Sequence, residues 1–258
     1  MSRMKQLLSA AAVSIGLSLV AAGPGEAAEA TAPPEVDWSF NGMFGTFDRA
    51  SAQRGLEVYK QVCASCHGMD LLPYRALVGI GLTPEQIEAL AETFEVQDCC
   101  TEEGEPFSRP AKPADRFISP YPNEQAARFA NNGALPPDLT LINKARIGGA
   151  DYIHAVLTGY EETPPEGVTL MPGMYYNRYF PGHQIGMPPP LSEGVVTYSD
   201  GTEATVDQQA RDVTTFMAWA AEPETEQRRA MGVKVLLFLI VLTAFLYALK
   251  RKIWADVH

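Results

Sequence analysis

The chain has 258 residues, 46% of them hydrophobic, and a formal net charge of −11. So acidic a chain is not a nucleic-acid binder. Once two apolar ends are set aside, its length leaves room for one core of roughly 190–200 residues and none for a separate signalling domain.

The N-terminus opens with Arg3 and Lys5, runs apolar over 7–22 and exits through Gly23-Pro24-Gly25. That order predicts a secretory signal peptide over 1–30, with cleavage near Ala28-Glu29-Ala30 or Gly25-Glu26-Ala27. The domain expected next, 31–224, is more acidic than the whole chain: residues 31–230 hold 28 acidic side chains against 14 basic ones. Such a surface can steer a basic partner, or simply keep the domain soluble.

A helix is predicted over 48–66, where Leu56, Tyr59, Val62 and Cys63 recur at three and four residues. Its end reads Cys63-Ala64-Ser65-Cys66-His67. C-x-x-C-H is the attachment motif of c-type haem. The two thiols add across the two vinyl groups of one porphyrin edge, and the next residue brings an imidazole to the iron. A dithiol redox pair or half of a zinc site would use the cysteines but would not require His67. At this composition the motif is expected by chance about 0.001 times.

Thr83-Pro84-Glu85-Gln86 starts a second helix, with an N-cap, Pro at the first position and a capping-box Gln; it is expected to reach about Val96. Shorter helices are predicted over 124–131, ended by Gly133, and over 151–158, stopped by Gly159. The last soluble helix is predicted over 207–221, with Ala210, Val213, Phe216, Met217 and Ala220 on one face and Pro223 beyond its end. Val195 to Tyr198 with Ser199-Asp200-Gly201 could form one small hairpin. The rest is Pro- and Gly-rich loop. The fold class that follows is mainly α, a helical haem domain of cytochrome c type with long loops and one C-terminal transmembrane helix.

That last helix comes from a second apolar run, 232–249, broken only by Lys234. Eighteen residues span ~27 Å, close to a ~30 Å hydrocarbon core. Lys234 can snorkel to the near surface. Lys250-Arg251-Lys252 and Trp254 follow, which puts the C-terminus in the cytoplasm and the haem domain in the periplasm. Residues 225–258 are therefore read as the anchor and tail.

The second axial ligand decides what such an iron does. An open position favours catalysis or ligand binding; a protein ligand favours electron transfer, and His/Met ligation raises the potential. Met69 is too near His67, and Met217 reads as core. Met43, Met171, Met174, Met187 and the three other histidines, His154, His183 and His258, remain. Met187, in the stiff segment Gly186-Met187-Pro188-Pro189-Pro190-Leu191, is favoured because a rigid loop suits a weak thioether ligand. His183 and Met174 stay open as alternatives.

The chain resembles the cytochrome c1 family of the cytochrome bc1 complex, in its alpha-proteobacterial form. The segments that carry the likeness are Arg54-Gly55 up to the haem motif, Tyr121-Pro122-Asn123, and Ala130-Asn131-Asn132-Gly133-Ala134-Leu135-Pro136-Pro137-Asp138-Leu139. Asn177-Arg178-Tyr179-Phe180-Pro181-Gly182, Ile185-Gly186-Met187 and the basic tail match as well. The resemblance implies one covalent haem c on Cys63 and Cys66, with His67 and Met187 as iron ligands. It places Arg146 and Tyr152 near a haem propionate, which an Arg fork can hold in two hydrogen bonds. It also implies one-electron transfer from a Rieske iron–sulfur protein to a soluble cytochrome c with a basic docking face. Cytochrome b would be a further partner, in a dimeric complex of a bacterial inner membrane. The competing class is a membrane-anchored monohaem enzyme. Cys99-Cys100 belongs to none of these patterns; a vicinal disulfide, an interchain pair or free thiols are all open.

Overall fold

The computed structural model describes residues 31–255; the expected signal peptide lies outside them. Among the described residues, six α-helices carry the architecture. They are α1 (Arg49–Gln61), α2 (Pro84–Ala91), α3 (Glu124–Ala130), α4 (Gly149–Thr158), α5 (Val206–Ala221) and α6 (Thr225–Trp254). Six short strands pair antiparallel in twos: β1 (Met69–Pro73) with β4 (Arg116–Phe117), β2 (Glu95–Asp98) with β3 (Phe107–Pro110), and β5 (Tyr175–Tyr176) with β6 (Gln184–Ile185). The mainly helical class holds.

The frame is the crossing of α1 and α5. Asp48 caps α1 by accepting from the amides of Ala50 and Ser51, and Thr205 caps α5 through Gln208. The helices approach at Gly55, where the absence of a side chain lets the α5 backbone come into contact. Beside that point the fully buried Asp212 carboxylate accepts from Arg54 Nε (2.9 Å) and Nη2 (3.1 Å), Ser51 Oγ (2.7 Å) and Gln208 Nε2 (2.9 Å). A buried charge needs this saturation, because any unfilled lone pair would carry its desolvation penalty unrelieved. Tyr59, Tyr74, Phe94 and Phe117 pack as an aromatic cluster under α1.

Three sequence expectations change, and one left open is resolved. Helix α1 ends at Gln61, and Cys63–Ser65 is a tight 3-10 turn because Val62 leaves helical geometry at φ −122°. Helix α2 stops at Ala91, since the next residues pair as a hairpin in which Val96 faces Arg109. Residues 195–201 make turns instead of a hairpin. Their polar groups are taken by α1: Gln61 bonds both the amide and the carbonyl of Thr197, and Glu57 accepts from Ser199. Cys99 and Cys100 form a vicinal disulfide across a cis peptide, in the exposed loop between β2 and β3.

Helix α6 runs unbroken for 30 residues, about 45 Å, and its apolar side chains face outward. It is long and apolar enough to cross a membrane. Its first turns belong to the soluble domain by contact: Glu226 accepts from the Phe47 amide (2.7 Å) and from Arg49 (2.6 Å).

Candidate functional site: a haem cavity

A cavity of about 520 Å³ opens between the Cys63–His67 turn, the 134–142 loop, α4, the 180–190 loop and Met217 of α5. Its walls are mostly apolar, among them Val62, Leu135, Leu139, Ile142, Val156 and Phe180. The size is that of a cofactor pocket.

The turn that carries the motif closes on itself, with the amides of Cys66 (3.1 Å) and His67 (2.9 Å) both donating to the Cys63 carbonyl. Both sulfurs and the imidazole therefore line the same cavity. Burial pushes the Cys63 thiol up to about 12, so it is held as thiol rather than thiolate.

His67 Nδ1 lies 2.7 Å from the Pro137 carbonyl oxygen. A carbonyl can only accept, so Nδ1 carries the proton and Nε2 keeps its lone pair. Burial lowers the His67 pKa further, against the smaller opposing pull of that hydrogen bond. A neutral imidazole with a fixed tautomer is the form that binds a metal. Tyr59 Oη donates to the His67 carbonyl at 3.0 Å and holds the backbone in place.

The Pro136-Pro137 wall is itself clamped. Asp138 accepts from the amides of Asp70 (2.6 Å) and Thr140 (2.8 Å), and the Leu139 amide donates to the Gly68 carbonyl at 2.9 Å. This explains why an Asp follows the two prolines: it fastens the loop that orients His67. On the far side of the motif, Asn123 caps α3 through the Ala126 amide (2.8 Å). That helix delivers Asn131 to the Tyr121 hydroxyl (3.1 Å), which reaches the Cys66 sulfur at 3.8 Å.

Met187 lines the cavity, and Tyr160 Oη donates to its carbonyl at 3.1 Å. The two flanking loops meet where a Cβ on Gly186 would lie 3.0 Å from the Ala134 Cβ. Of the alternatives weighed from sequence, His183 stacks on Tyr176 (5.8 Å between centroids) and Met174 packs behind Gly186; neither lines the cavity. Met171 is exposed. Met217, read from sequence as core, is buried but also forms part of the cavity wall. Arg146 and Tyr152 line the same cavity.

Sequence reasoning missed Tyr160, Asp138 as a clamp, and the Pro137 carbonyl. The first two were visible only as a Tyr after a helix-ending Gly and as part of a Pro-Pro-Asp-Leu string. A backbone carbonyl has no sequence signal at all.

Two thiols, a neutral imidazole and an apolar cavity of this size fit a covalently bound haem, and with α6 they define a membrane-anchored c-type cytochrome. The comparisons with known proteins specify it further. The Cytochrome C1 family profile matches residues 38–257, and the chain belongs to that family. It is 44% identical over 270 residues to cytochrome c1 of Rhodospirillum rubrum, covering 98% of this chain and 99% of that one. It is 50% identical over 225 residues to the cytochrome b-c1 complex catalytic subunit, mitochondrial, of Candida albicans, covering 87% and 78%. It is 48% identical over 278 residues to cytochrome b/c1 of Bradyrhizobium diazoefficiens, covering 96% of this chain and 40% of that protein's length. As a family member it carries a single covalently attached haem c and serves electron transfer.

Proposed function

We propose that the chain is the haem subunit of a cytochrome bc1 complex, taking single electrons from a Rieske iron–sulfur protein and passing them to a soluble c-type cytochrome. The observation that carries this reading is that His67 and Met187 line one cavity with Cys63 and Cys66. When bound, the haem supplies a one-electron ferrous/ferric couple. Cys63 and Cys66 would hold it covalently, and His67 would ligate through Nε2, its ring oriented by the Pro137 carbonyl. Met187 would ligate from a loop held by Tyr160 and stiffened by the prolines that follow it. With His67 and Met187 both serving as iron ligands, no position would be left for substrate, so these residues would serve electron transfer and not bond chemistry. Arg146 and Tyr152, which line the same cavity, would hold a propionate. Cytochrome b is the neighbour of α6, in a dimeric complex of a bacterial inner membrane. The basic tail keeps the C-terminus in the cytoplasm and leaves the haem domain periplasmic.

The soluble acceptor is expected to dock by charge. Glu102, Glu103 and Glu105 stand exposed on the loop after β2, whereas Asp98 is occupied by Arg109 (2.6 Å) and Glu161 by Arg178 (2.8 Å). Stopped-flow oxidation of the reduced protein by a basic soluble cytochrome should slow steeply with salt. A second-order rate flat between about 10 and 200 mM, where the Debye length falls from about 30 Å to under 8 Å, would remove steering from the account. Carbon monoxide separates the monohaem-enzyme reading: an open ferrous iron binds it readily, and a His/Met iron does not.

A further inference from the structure

We propose that Met43 and Phe44, at the tip of the 39–47 turn, form a second membrane contact, seated at the headgroup–acyl boundary of the leaflet that α6 enters. The proposal rests on α6 crossing a membrane.

Residues 39–47 contain no charged side chain, although residues 31–230 carry 42. The turn is built rigidly. The Thr46 amide donates to the Ser39 carbonyl at 3.0 Å, and Gly42 takes φ +76°. A Cβ on Gly45 would strike the Asn41 carbonyl oxygen at 2.1 Å. Phe40 stacks on Trp38 (5.4 Å) and packs against Phe47 (5.0 Å). The other two large apolar side chains stay out of the core: Phe44 is 81% exposed and Met43 64%.

The turn is fastened to the root of the membrane helix, and the fastenings advance toward the membrane. Glu226 holds Phe47; one helical turn on, Arg229 donates to the carbonyls of Phe40 (2.8 Å) and Gly45 (3.0 Å). Three residues along α6 advance the axis by about 4.5 Å, while the turn advances from Phe47 to Gly45. Two residues beyond Arg229, at Met231, the outward-facing apolar surface of α6 begins and runs on through Val235 and Leu236. Continuity with that surface selects lipid as the occupant. A preformed, uncharged tip loses little conformational freedom on insertion, which favours a shallow apolar anchor.

The test is spin-label accessibility in the haem-loaded full chain. Phe44→Cys and, as a second variant, Met43→Cys would each carry a nitroxide, with Glu203→Cys as the aqueous reference. Glu203 precedes the N-terminus of the 16-residue α5, about 24 Å from the end that leads into α6. In phosphatidylcholine vesicles, power saturation compares access to oxygen, which is enriched in lipid, with access to an aqueous nickel chelate. The oxygen-to-nickel ratio at 44 and 43 should exceed that at 203 several-fold, and should do so again in native membranes holding the assembled complex. Ratios equal to that at 203 would overturn the proposal. So would exclusion of both reagents, which assigns the tip to a protein neighbour. Release of the chain by a high-salt and carbonate wash would instead show that the α6 reading itself is wrong.

Discussion

A Cβ placed on Gly55 of α1 would lie 2.1 Å from the Asp212 carbonyl oxygen of α5 and 2.6 Å from the Phe216 Cβ. The backbones of the two helices touch there, and the Arg54–Asp212 fork closes over the contact. Because backbone cannot yield as a side chain can, Gly55→Ala should destabilise by about 3 kcal/mol, the upper end of overpacking costs. That corresponds to a fall in Tm of roughly 6–12 °C for a domain of this size. Arg54→Ala should cost about 3–5 kcal/mol by stranding a buried carboxylate. Arg54→Lys, which keeps the charge and loses the fork, should fall between. Thermal melts of the haem-loaded protein measure all three, and wild-type melts in the first two would refute the argument.

Met187→Leu should keep covalent haem but lower the reduction potential by more than about 100 mV, within the roughly 0.8 V range that axial ligands span. It should also gain carbon monoxide binding. Tyr160→Phe removes the single hydrogen bond on the Met187 carbonyl, about 0.5–1.5 kcal/mol, and should shift the potential in the same direction by far less. Burial raises the Tyr160 pKa, so the bond persists through the physiological pH range. An unchanged potential in Met187→Leu would move the ligand to another side chain.

The soluble domain should depend on the first turns of α6. A chain ended after Ala230 keeps Glu226 and Arg229 and should be released as a folded, haem-containing domain. One ended after Glu224 loses the grip on Phe47, Arg49, Phe40 and Gly45. It should melt several degrees lower and be cleaved near residues 39–47 in limited proteolysis. Equal melts and digests would show those bonds to be incidental.

Acid should weaken the domain through His154. Its ring is buried, Nδ1 has no partner, and Nε2 meets Asp207 at 3.0 Å. Burial lowers its pKa, and Arg211 adds to the lowering; Asp207 and Asp151 pull the other way. The native state therefore holds the neutral ring, while the unfolded state takes up a proton below about pH 6.5. The stability contribution is complete above that pH and is lost as the pH falls toward and through the depressed native value. Denaturant melts between pH 7.5 and 5 should show a slope that flattens in His154→Gln. An identical slope in both would place the acid sensitivity elsewhere.

The sequence by itself determined the haem chemistry and the membrane-length C-terminal helix. C-x-x-C-H is a local statement, because three reactive side chains on one turn need no distant partner. An 18-residue apolar run and a capping box are equally local. Tertiary structure alone decided what depends on residues far apart in the chain meeting. The tautomer of His67 is set by a carbonyl 70 residues away. The Met187 loop is held by Tyr160, 27 residues earlier. Glu95 and Val96 leave the helix predicted for them because the strand they begin, 95–98, pairs with the strand at 107–110. The stretch at 195–201 loses its hairpin because α1 side chains, more than 130 residues earlier, take its hydrogen bonds. Hydrogen-bond saturation of buried backbone is a condition on the whole fold. Periodicity along the chain records which face is apolar, but not which distant group will satisfy a given amide.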